Sequence, residues 1–555
     1  MLERPPLHKR RPFLIALAVV AVMVLFGVGG VLTIGVPRSG TAAVTSPPRL
    51  GATGSSPTSA SQSGVAPPAA TPAAPTASPT ASPTETLVRI PLVPIVDYWS
   101  TLRSIPRSEL ADLVSGVHAP GPSAAPTKIA VATDDLPALA TTLGVTPKGV
   151  ESVPAAEVRA RVKSVPGTIG IVRADAVTMD VRALAVDGLA LFGAERLHDL
   201  ATWPLLASEA GATAGFSPKT AWTVAAGGDV MLDKAVYAQS VLKGKGVDYA
   251  WGGGTAVIDS RSCCGWGNKP IASGHETGNA GAVASLFRDA DLGIVNLESP
   301  EPDNFTYHSG GFTFSGDPAL LAGLRDAGID VAGLANNHLG NAGTRGVTDT
   351  IAHLTQLGIA HPGAGANATA ARKAAWLEAG GLKVAVLAYV DVQPTSYWAT
   401  ASQPGSSGYD IGSIVTDIKA AKGAGADVVF VMPHWGQEYA DSVWDFQRTD
   451  AKKMIDAGAD LILGSHSHWV GPFEQIDGDH LAFYSLGDLV FDWTHDERTQ
   501  EGVVADLTFV GKRLVQVDLH PTFIIAGRPN LLDPAGDGQA VLGPVMKTSE
   551  PRLGW

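Results

Sequence analysis

Five short apolar runs between residues 223 and 463 each lead into a side chain of metal-ligand type, and this recurrence constrains the fold more than any other feature of the chain. Thr223-Val224-Ala225-Ala226 leads into Gly227-Gly228-Asp229. Asp291-Leu292-Gly293-Ile294-Val295 leads into Asn296-Leu297-Glu298, and Ile329-Asp330-Val331-Ala332-Gly333-Leu334 into Ala335-Asn336-Asn337-His338. Asp427-Val428-Val429-Phe430-Val431 leads into Met432-Pro433-His434, and Asp460-Leu461-Ile462-Leu463 into Gly464-Ser465-His466-Ser467-His468. Two further runs end near Asp391 and at Asp488. Runs of this length read as buried strands. Amphipathic segments at 318–327, 346–357 and 446–457 separate many of them, which predicts an α/β fold of layered sheets and helices. Folds of this kind place their sites outside the carboxyl ends of the strands.

Each polar residue has an ordinary explanation on its own. Asp229 follows two glycines and could simply turn the chain. Asn336-Asn337 could be turn residues accepting a positive φ. Glu298 could open a helix, and His434 could be a satisfied core histidine. Together, at successive strand ends, they predict a shared site. Carboxylate, carboxamide and imidazole form the mixed oxygen and nitrogen set that suits Mn²⁺, Fe²⁺ or Zn²⁺. His466 and His468, one residue apart beyond a strand, can both reach one point. A carboxylate bridging two ions about 3.5–4 Å apart would clamp a substrate oxygen and activate water.

A net charge of −13 argues against a nucleic-acid partner. It leaves an anionic substrate open, because a bound divalent metal inverts the local charge. The two cysteines, Cys263 and Cys264, are adjacent, which excludes a disulfide framework and a cysteine-rich zinc site. They read as two buried or idle thiols, with a strained vicinal disulfide as the alternative.

Residues 1–12 carry Arg4, Lys9, Arg10 and Arg11 and read as a cytoplasmic basic tail. Residues 13–36 contain no charge and would span roughly 36 Å as a helix, enough for a bilayer core. The basic flank predicts a single-pass membrane protein with a cytoplasmic N-terminus and its bulk outside. The apolar stretch exceeds the usual signal-peptide length, so an uncleaved anchor is expected, although Ala42-Ala43 leaves cleavage open. Residues 37–86, rich in Ser, Thr, Pro and Ala, cannot bury a core and read as a disordered tether. Residues 87–215 alternate strand and helix signals, with a capped helix start expected at Ser108-Glu109, and predict a small α/β module. Residues 220–525 form the ligand-bearing domain and 526–555 a C-terminal tail.

The motifs Gly228-Asp229-Val230-Met231-Leu232, Asn296-Leu297-Glu298-Ser299-Pro300, Ala335-Asn336-Asn337-His338, His434-Trp435-Gly436-Gln437-Glu438-Tyr439, Gly464-Ser465-His466-Ser467-His468 and Tyr484-Ser485-Leu486-Gly487-Asp488 occur in that order. Together they resemble the capsule-synthesis proteins of the CapA type, a family associated with poly-gamma-glutamate synthesis or export and similar to calcineurin-like metallophosphoesterases. The resemblance implies a layered metallophosphoesterase-like β-sandwich flanked by helices. It implies divalent metal at two sites, Asp229 and His468 on the first, Asn337, His434 and His466 on the second, and Glu298 bridging both. His338 would be the general acid or leaving-group stabiliser, and Glu438 a substrate-facing acid or base, or a partner of His434. Asp488 would orient a ligand, and Trp435 and Trp469 would form pocket walls. Met231 departs from the pattern, since metallophosphoesterases usually carry a histidine there. An anionic polymer such as poly-gamma-glutamate, the membrane and membrane-complex proteins are the implied partners. A catalytic and a non-catalytic, polymer-holding role both remain open at this point. More faintly, the pattern at 105–110 and 166–172 resembles half of a periplasmic solute-binding domain.

Overall fold

The computed structural model describes residues 87–117, 126–210 and 215–554. The expected basic tail, membrane anchor and tether lie outside the described residues. No helix among the described residues is long and apolar enough to cross a membrane.

The first module is a mixed sheet. Its strands are β1 (Leu87–Asp97), β2 (Lys128–Ala132), β3 (Val150–Val153), β4 (Thr168–Arg173), β5 (Val181–Ala183) and β6 (Leu206–Ala210). The order is β3-β2-β4-β1-β5, with β6 also paired to β1. Strand β1 is buried from Ile90 to Val96, as its unbroken apolar run requires of a central strand covered on both faces. Helices α1 (Arg107–Ser115), α2 (Leu136–Leu143) and α3 (Val158–Ser164) pack around it. Helix α1 starts after Pro106 without a side-chain cap, so Ser108 lies inside the helix rather than capping it.

The second region is built on two sheets. The larger has nine strands: β7 (Ala221–Val230), β8 (Thr255–Ser262), β9 (Ile271–Gly278), β10 (Leu292–Leu297), β11 (Val331–Gly333) and, from the C-terminal half, β18 (Asp488–Val490), β19 (Glu501–Val510), β20 (Arg513–Ile525) and β21 (Arg528–Leu531). Its order is β9-β8-β21-β20-β19-β7-β10-β11, with β18 also on β7. The smaller sheet has six: β12 (Ala375–Ala379), β13 (Leu382–Val390), β14 (Val428–His434), β15 (Leu461–Leu463), β16 (Phe473–Asp477) and β17 (His480–Phe483), in the order β12-β13-β14-β15-β17-β16.

Alternation along the strands assigns each face. Val224 and Ala226 of β7, Val384 and Val386 of β13, and Val428 and Phe430 of β14 meet in one core between the sheets. Their neighbours point outward. Ala225 packs under α4 (Ala282–Asp289), α5 (Leu321–Asp326) and α6 (Gly343–Leu357). Ala385, Val429 and Val431 pack under α7 (Ile411–Gly423) and α8 (Asp445–Asp456). The result is a two-sheet sandwich with helices on both outer faces.

Residues 526–555, read from sequence as a tail, contribute β21 and α9 (Gln539–Ser549). Val541, Leu542 and Val545 of α9 enter the inter-sheet core. Strands β8 and β9 form a mostly exposed hairpin, and near its tip Cys263 and Cys264 are exposed, not buried.

The module docks on a polar stripe of the larger sheet. Gln516 of β20 accepts from Ala183 N and donates to Val181 O, Thr508 of β19 accepts from Gly193 N, and Asp506 accepts from Ala194 N. Asp518 pairs with Arg182 and, at 3.6 Å, with Arg103. Side chains that bond the backbone across a contact fix its register, which an apolar contact would not do.

Candidate metal centre

Strands β7, β10 and β11 run parallel to one another, as do β13, β14 and β15, so their carboxyl ends share one edge of the sandwich. Asp229 closes β7, Glu298 follows β10, Asn337 and His338 follow β11, His434 closes β14, and His466 and His468 follow β15. All the predicted ligands are buried. Close approach of the chains is needed to bring them together. A Cβ on Gly228 would meet Gly487 O at 1.8 Å, so only glycine lets β7 lie against the turn before β18.

Two groups of three ligands form, with ligand atoms lying within 4.8 Å of one another in each: Glu298, His434 and His466; and Asp229, Glu298 and His468. Glu298 belongs to both. Asn337 joins the first group, its Oδ1 2.8 Å from His434 Nε2.

The backbone is strained to achieve this. His466 and His468 adopt φ of 96° and 57°, the left-handed region that non-glycine residues rarely enter. Lys234 and Tyr439, beside the cluster, do the same at 47° and 57°. Such strain persists where the surroundings over-determine it, typically at functional sites. Neither Asn336 nor Asn337 has a positive φ. Asn336 instead accepts from His338 N and Leu339 N through Oδ1 and donates to Leu297 O, tying the β11 turn to β10.

Neighbouring groups orient the ligands. His468 Nδ1 is 2.8 Å from Asp488 Oδ1, and His434 Nδ1 is 2.9 Å from Ser465 Oγ. Asp229 Oδ1 accepts from Asn296 Nδ2 at 2.8 Å, and its Oδ2 from His466 N at 3.2 Å. Such partners set the tautomer and angle of a ligand. Asp488 thus takes the orienting place expected of it, whereas Asn296 and Ser465 had not been singled out. Asn296 was findable, because it stands two residues before Glu298 and so shares its side of the strand.

The charges do not balance without a cation. Burial, with Asp488 adding to it, pushes the Asp229 carboxyl up to about 7. Burial and the neighbouring acids Asp229, Asp488 and Glu438 push Glu298 well above the usual range. Burial also holds His434 and His466 well below the usual imidazole range. Both Glu298 oxygens, His466 Nδ1 and Asp488 Oδ2 are buried with no hydrogen-bond partner. Orphaned buried polar atoms of this kind normally cost about 1–3 kcal/mol each. A divalent cation would satisfy the orphaned ligand atoms and replace the protons, so the residues present fit a metal.

His338 lies beside the cluster, its ring stacked on Phe314 at 3.9 Å. Asn341 Oδ1 accepts from Phe314 N and also meets His338 Nδ1 at 2.9 Å. An accepting amide oxygen leaves His338 protonated at Nδ1, with the lone pair at Nε2. Burial lowers its pKa to about 4. The neutral ring is therefore a proton acceptor at Nε2, and the general-acid role expected of it would need an imidazolium that burial opposes. Glu438 is exposed, with its charge acting on Glu298 and His468. Met231 is fully buried with Phe314 and Phe491, and its sulfur accepts from Asp233 N at 3.2 Å. Trp435, expected in a pocket wall, is core: it packs with Tyr409, Phe446 and Tyr484 and donates to Tyr484 O. Trp469 is half-buried, with Lys269 and Arg498 over its ring at 4.3 and 4.0 Å. The sequence pattern gave no sign of Lys234, a buried cation whose Nζ donates to Gly311 O and sits 4.3 Å over the Phe314 ring.

Residues 223–493 match the family model for the bacterial capsule synthesis protein PGA_cap. This region belongs to that family. The chain is 29% identical over 282 residues to the capsule biosynthesis protein CapA of Bacillus anthracis, covering 49% of this chain and 68% of that one. It is 34% identical over 217 residues to the PGA biosynthesis protein CapA of Bacillus subtilis, covering 38% of this chain and 57% of that one. Among solved structures, the calcineurin-like phosphoesterase YfkN from Bacillus subtilis is similar at 15% identity and a TM-score of 0.31, over 59% of this chain and 97% of that one. The PGA_cap match contains all the ligand residues and both sheets' site-bearing strands, and it excludes the module at 87–215.

Proposed function

We propose that this PGA_cap protein is a metal-dependent hydrolase or transferase in the biosynthesis or export of a capsule or poly-gamma-glutamate-type polymer, held outside the cell by the apolar segment at 13–36. The observation that carries the reading is the double ligand group sharing Glu298, both of whose oxygens are buried and unpartnered. A lone structural metal would not need a carboxylate facing two ligand sets.

Asp229, Glu298 and His468 would hold one divalent ion, and Glu298, His434, His466 and Asn337 the other, as Mn²⁺, Fe²⁺ or Zn²⁺. Bound there, such ions supply Lewis-acid polarisation of a substrate oxygen and a lowered pKa for coordinated water. The protein's own groups do the rest. Asp488, Ser465 and Asn296 hold the ligand rings and carboxylate in place. His338, neutral and protonated at Nδ1, offers Nε2 to a substrate proton. Glu438, exposed and acting electrostatically on Glu298 and His468, would meet the leaving part of the substrate.

A second reading, a polymer-binding component without catalysis, is favoured by Met231, which supplies no ligand where metallophosphoesterases usually carry histidine. Elemental analysis of the purified protein, with Glu298→Ala and His466→Ala beside it, tests the metal centre. Near two ions per chain, lost in both variants, supports the catalytic reading, and no metal after reconstitution with Mn²⁺ or Zn²⁺ removes it. Release of glutamate-containing fragments from poly-gamma-glutamate, abolished in His338→Ala with metal retained, separates catalysis from binding.

A further inference from the structure

A cleft of about 400 Å³ lies where the module meets the larger sheet, and none of the metal-centre ligands lines it. Its floor carries Asp506 and Asp518, directly opposite each other on β19 and β20, with His520 two residues beyond on the same face. Like charges directly opposite on paired strands are destabilising unless each is compensated. Asp518 is compensated by Arg182 and Arg103. Asp506 has no such partner at ion-pair distance: among the described residues its ion-pair contact is His520 Nε2, at 4.0 Å, and Arg196 acts on it only from farther away.

Asp506 is 5% exposed, and its two oxygens are treated differently. Oδ2 accepts from Ala194 N at 2.8 Å, an approach made possible by Gly193, whose Cβ would stand 3.1 Å from that oxygen. Oδ1 is buried, without a partner, in a residue that lines the cleft. His520 Nε2 is likewise buried and unpartnered. Burial raises the Asp506 pKa to about 6, as expected of a carboxyl still short of a donor or a cation. Phe192, Leu286 and Leu531 line the same cleft, together with the polar Glu195, Asn279 and Ser285 and with Arg182, which is already paired with Asp518. A cleft this size exceeds the needs of a bare ion, and apolar side chains beside a carboxylate suit a ligand with a charged end and a hydrocarbon body.

We propose that this cleft binds a small organic cation, an alkylammonium ion whose charged end meets Asp506 Oδ1 and whose chain lies along Phe192, Leu286 and Leu531. Calorimetric titration of the full chain with n-butylammonium, and with n-butanol as its neutral counterpart, tests this. Saturable one-site binding of the cation, absent for the alcohol and at least tenfold weaker in Asp506→Asn, is the expected result. Asparagine keeps an acceptor for Ala194 N, so the fold is preserved while the charge is lost. No saturable binding to the wild type, equal binding of the alcohol, or equal affinity in Asp506→Asn would overturn the proposal. Should Asp506→Asn not fold, Ala280→Trp, at an exposed position on the rim, fills the cleft mouth and must abolish binding. Unchanged affinity in that variant would equally overturn it.

Discussion

His468 Nδ1 stands 2.8 Å from Asp488 Oδ1, and both residues are buried. The carboxylate comes from the start of β18, which pairs with β7 immediately beside Asp229. One strand pairing therefore places both a ligand and the group that orients another ligand. Asp488→Asn removes the charge that fixes the imidazole while preserving shape. Loss of such a partner costs about 10–100-fold in metal affinity. Competition titration against a fluorescent chelator should show that loss with an unchanged circular dichroism spectrum, and an unchanged affinity would deny Asp488 its orienting role.

Glu298 pays for its position in the metal-free protein. Its carboxyl is fully buried with both oxygens unpartnered, so replacing it by an apolar residue of similar volume removes a desolvation penalty. Glu298→Leu should stabilise the metal-free protein by about 1–3 kcal/mol and abolish the stabilisation by added Mn²⁺ or Zn²⁺. Thermal melts with and without metal read both effects. A variant that melts lower without metal would mean that Glu298 is satisfied by some group other than an ion.

How much of this was legible in the sequence depends on the kind of information each feature carries. The ligands were legible because each sits at the end of a short apolar run, and parallel strands bring such ends to one edge. The layered α/β class followed from alternating strand and helix signals, and the β-sandwich from the family resemblance. What local patterning could not show was pairing over long separations. Strand β7 takes β19 as its antiparallel neighbour, nearly three hundred residues away, and nothing near Ala221 announces it. Residues 526–555 look like a tail because their strand is short and contains Pro529, yet β21 pairs with β20 and α9 closes the core. The β8–β9 hairpin escaped notice because its exposed strands lack apolar alternation. Trp435 was misplaced because proximity to His434 in sequence says nothing about which face of the sheet a neighbour takes. His434 faces the metal cluster, and Trp435 goes to the opposite core.

Asp229 sets a pH dependence. Its folded pKa, raised to about 7 from an ordinary value of 3.8, means that the folded metal-free protein retains a proton there that the unfolded chain gives up. The contribution to stability is fully present below pH about 4 and is lost as the pH rises through about 7. Stability of the metal-free protein should therefore fall across that window by this group's share, and Asp229→Asn should flatten the fall. Metal affinity runs the other way, because a ligand carboxylate must first lose its proton. Calorimetry in buffers of different ionisation enthalpy should find protons released on metal binding at pH 6 and fewer at pH 8. An equal number at both would show that Asp229 is already ionised.

The module should come off the larger sheet when its charged anchor is broken. Arg182 is buried, donates to Tyr98 O and pairs with Asp518, whose side chain is 25% exposed. Burial alone would raise the Asp518 carboxyl, but Arg182, His520 and Arg103 together hold it at about 2. Asp518→Ala leaves the guanidinium without its counter-charge. Breaking a fully buried pair costs about 3–5 kcal/mol, and partial solvent access here reduces that to about 2–4. Limited proteolysis should cut the variant sooner near residues 186–200, which the intact contact protects. The same digestion pattern as wild type would assign the docking to Gln516 and Thr508 instead.

Met231 decides how complete the first ligand group is. The side chain is fully buried with Phe314 and Phe491, and at this position metallophosphoesterases usually present an imidazole. Met231→His introduces a ring nitrogen two residues after Asp229, a member of the group Asp229, Glu298 and His468. Without metal the new histidine is a polar group in an apolar pocket, at a cost of about 1–3 kcal/mol. With metal it becomes a fourth ligand, the usual number for a closed zinc site. The variant should melt lower than wild type in chelator and recover in Zn²⁺ or Mn²⁺, with metal content rising towards two ions per chain. If metal content stays unchanged and the loss in chelator is not recovered, the introduced ring is not a ligand, and Met231 does not decide how complete the first group is.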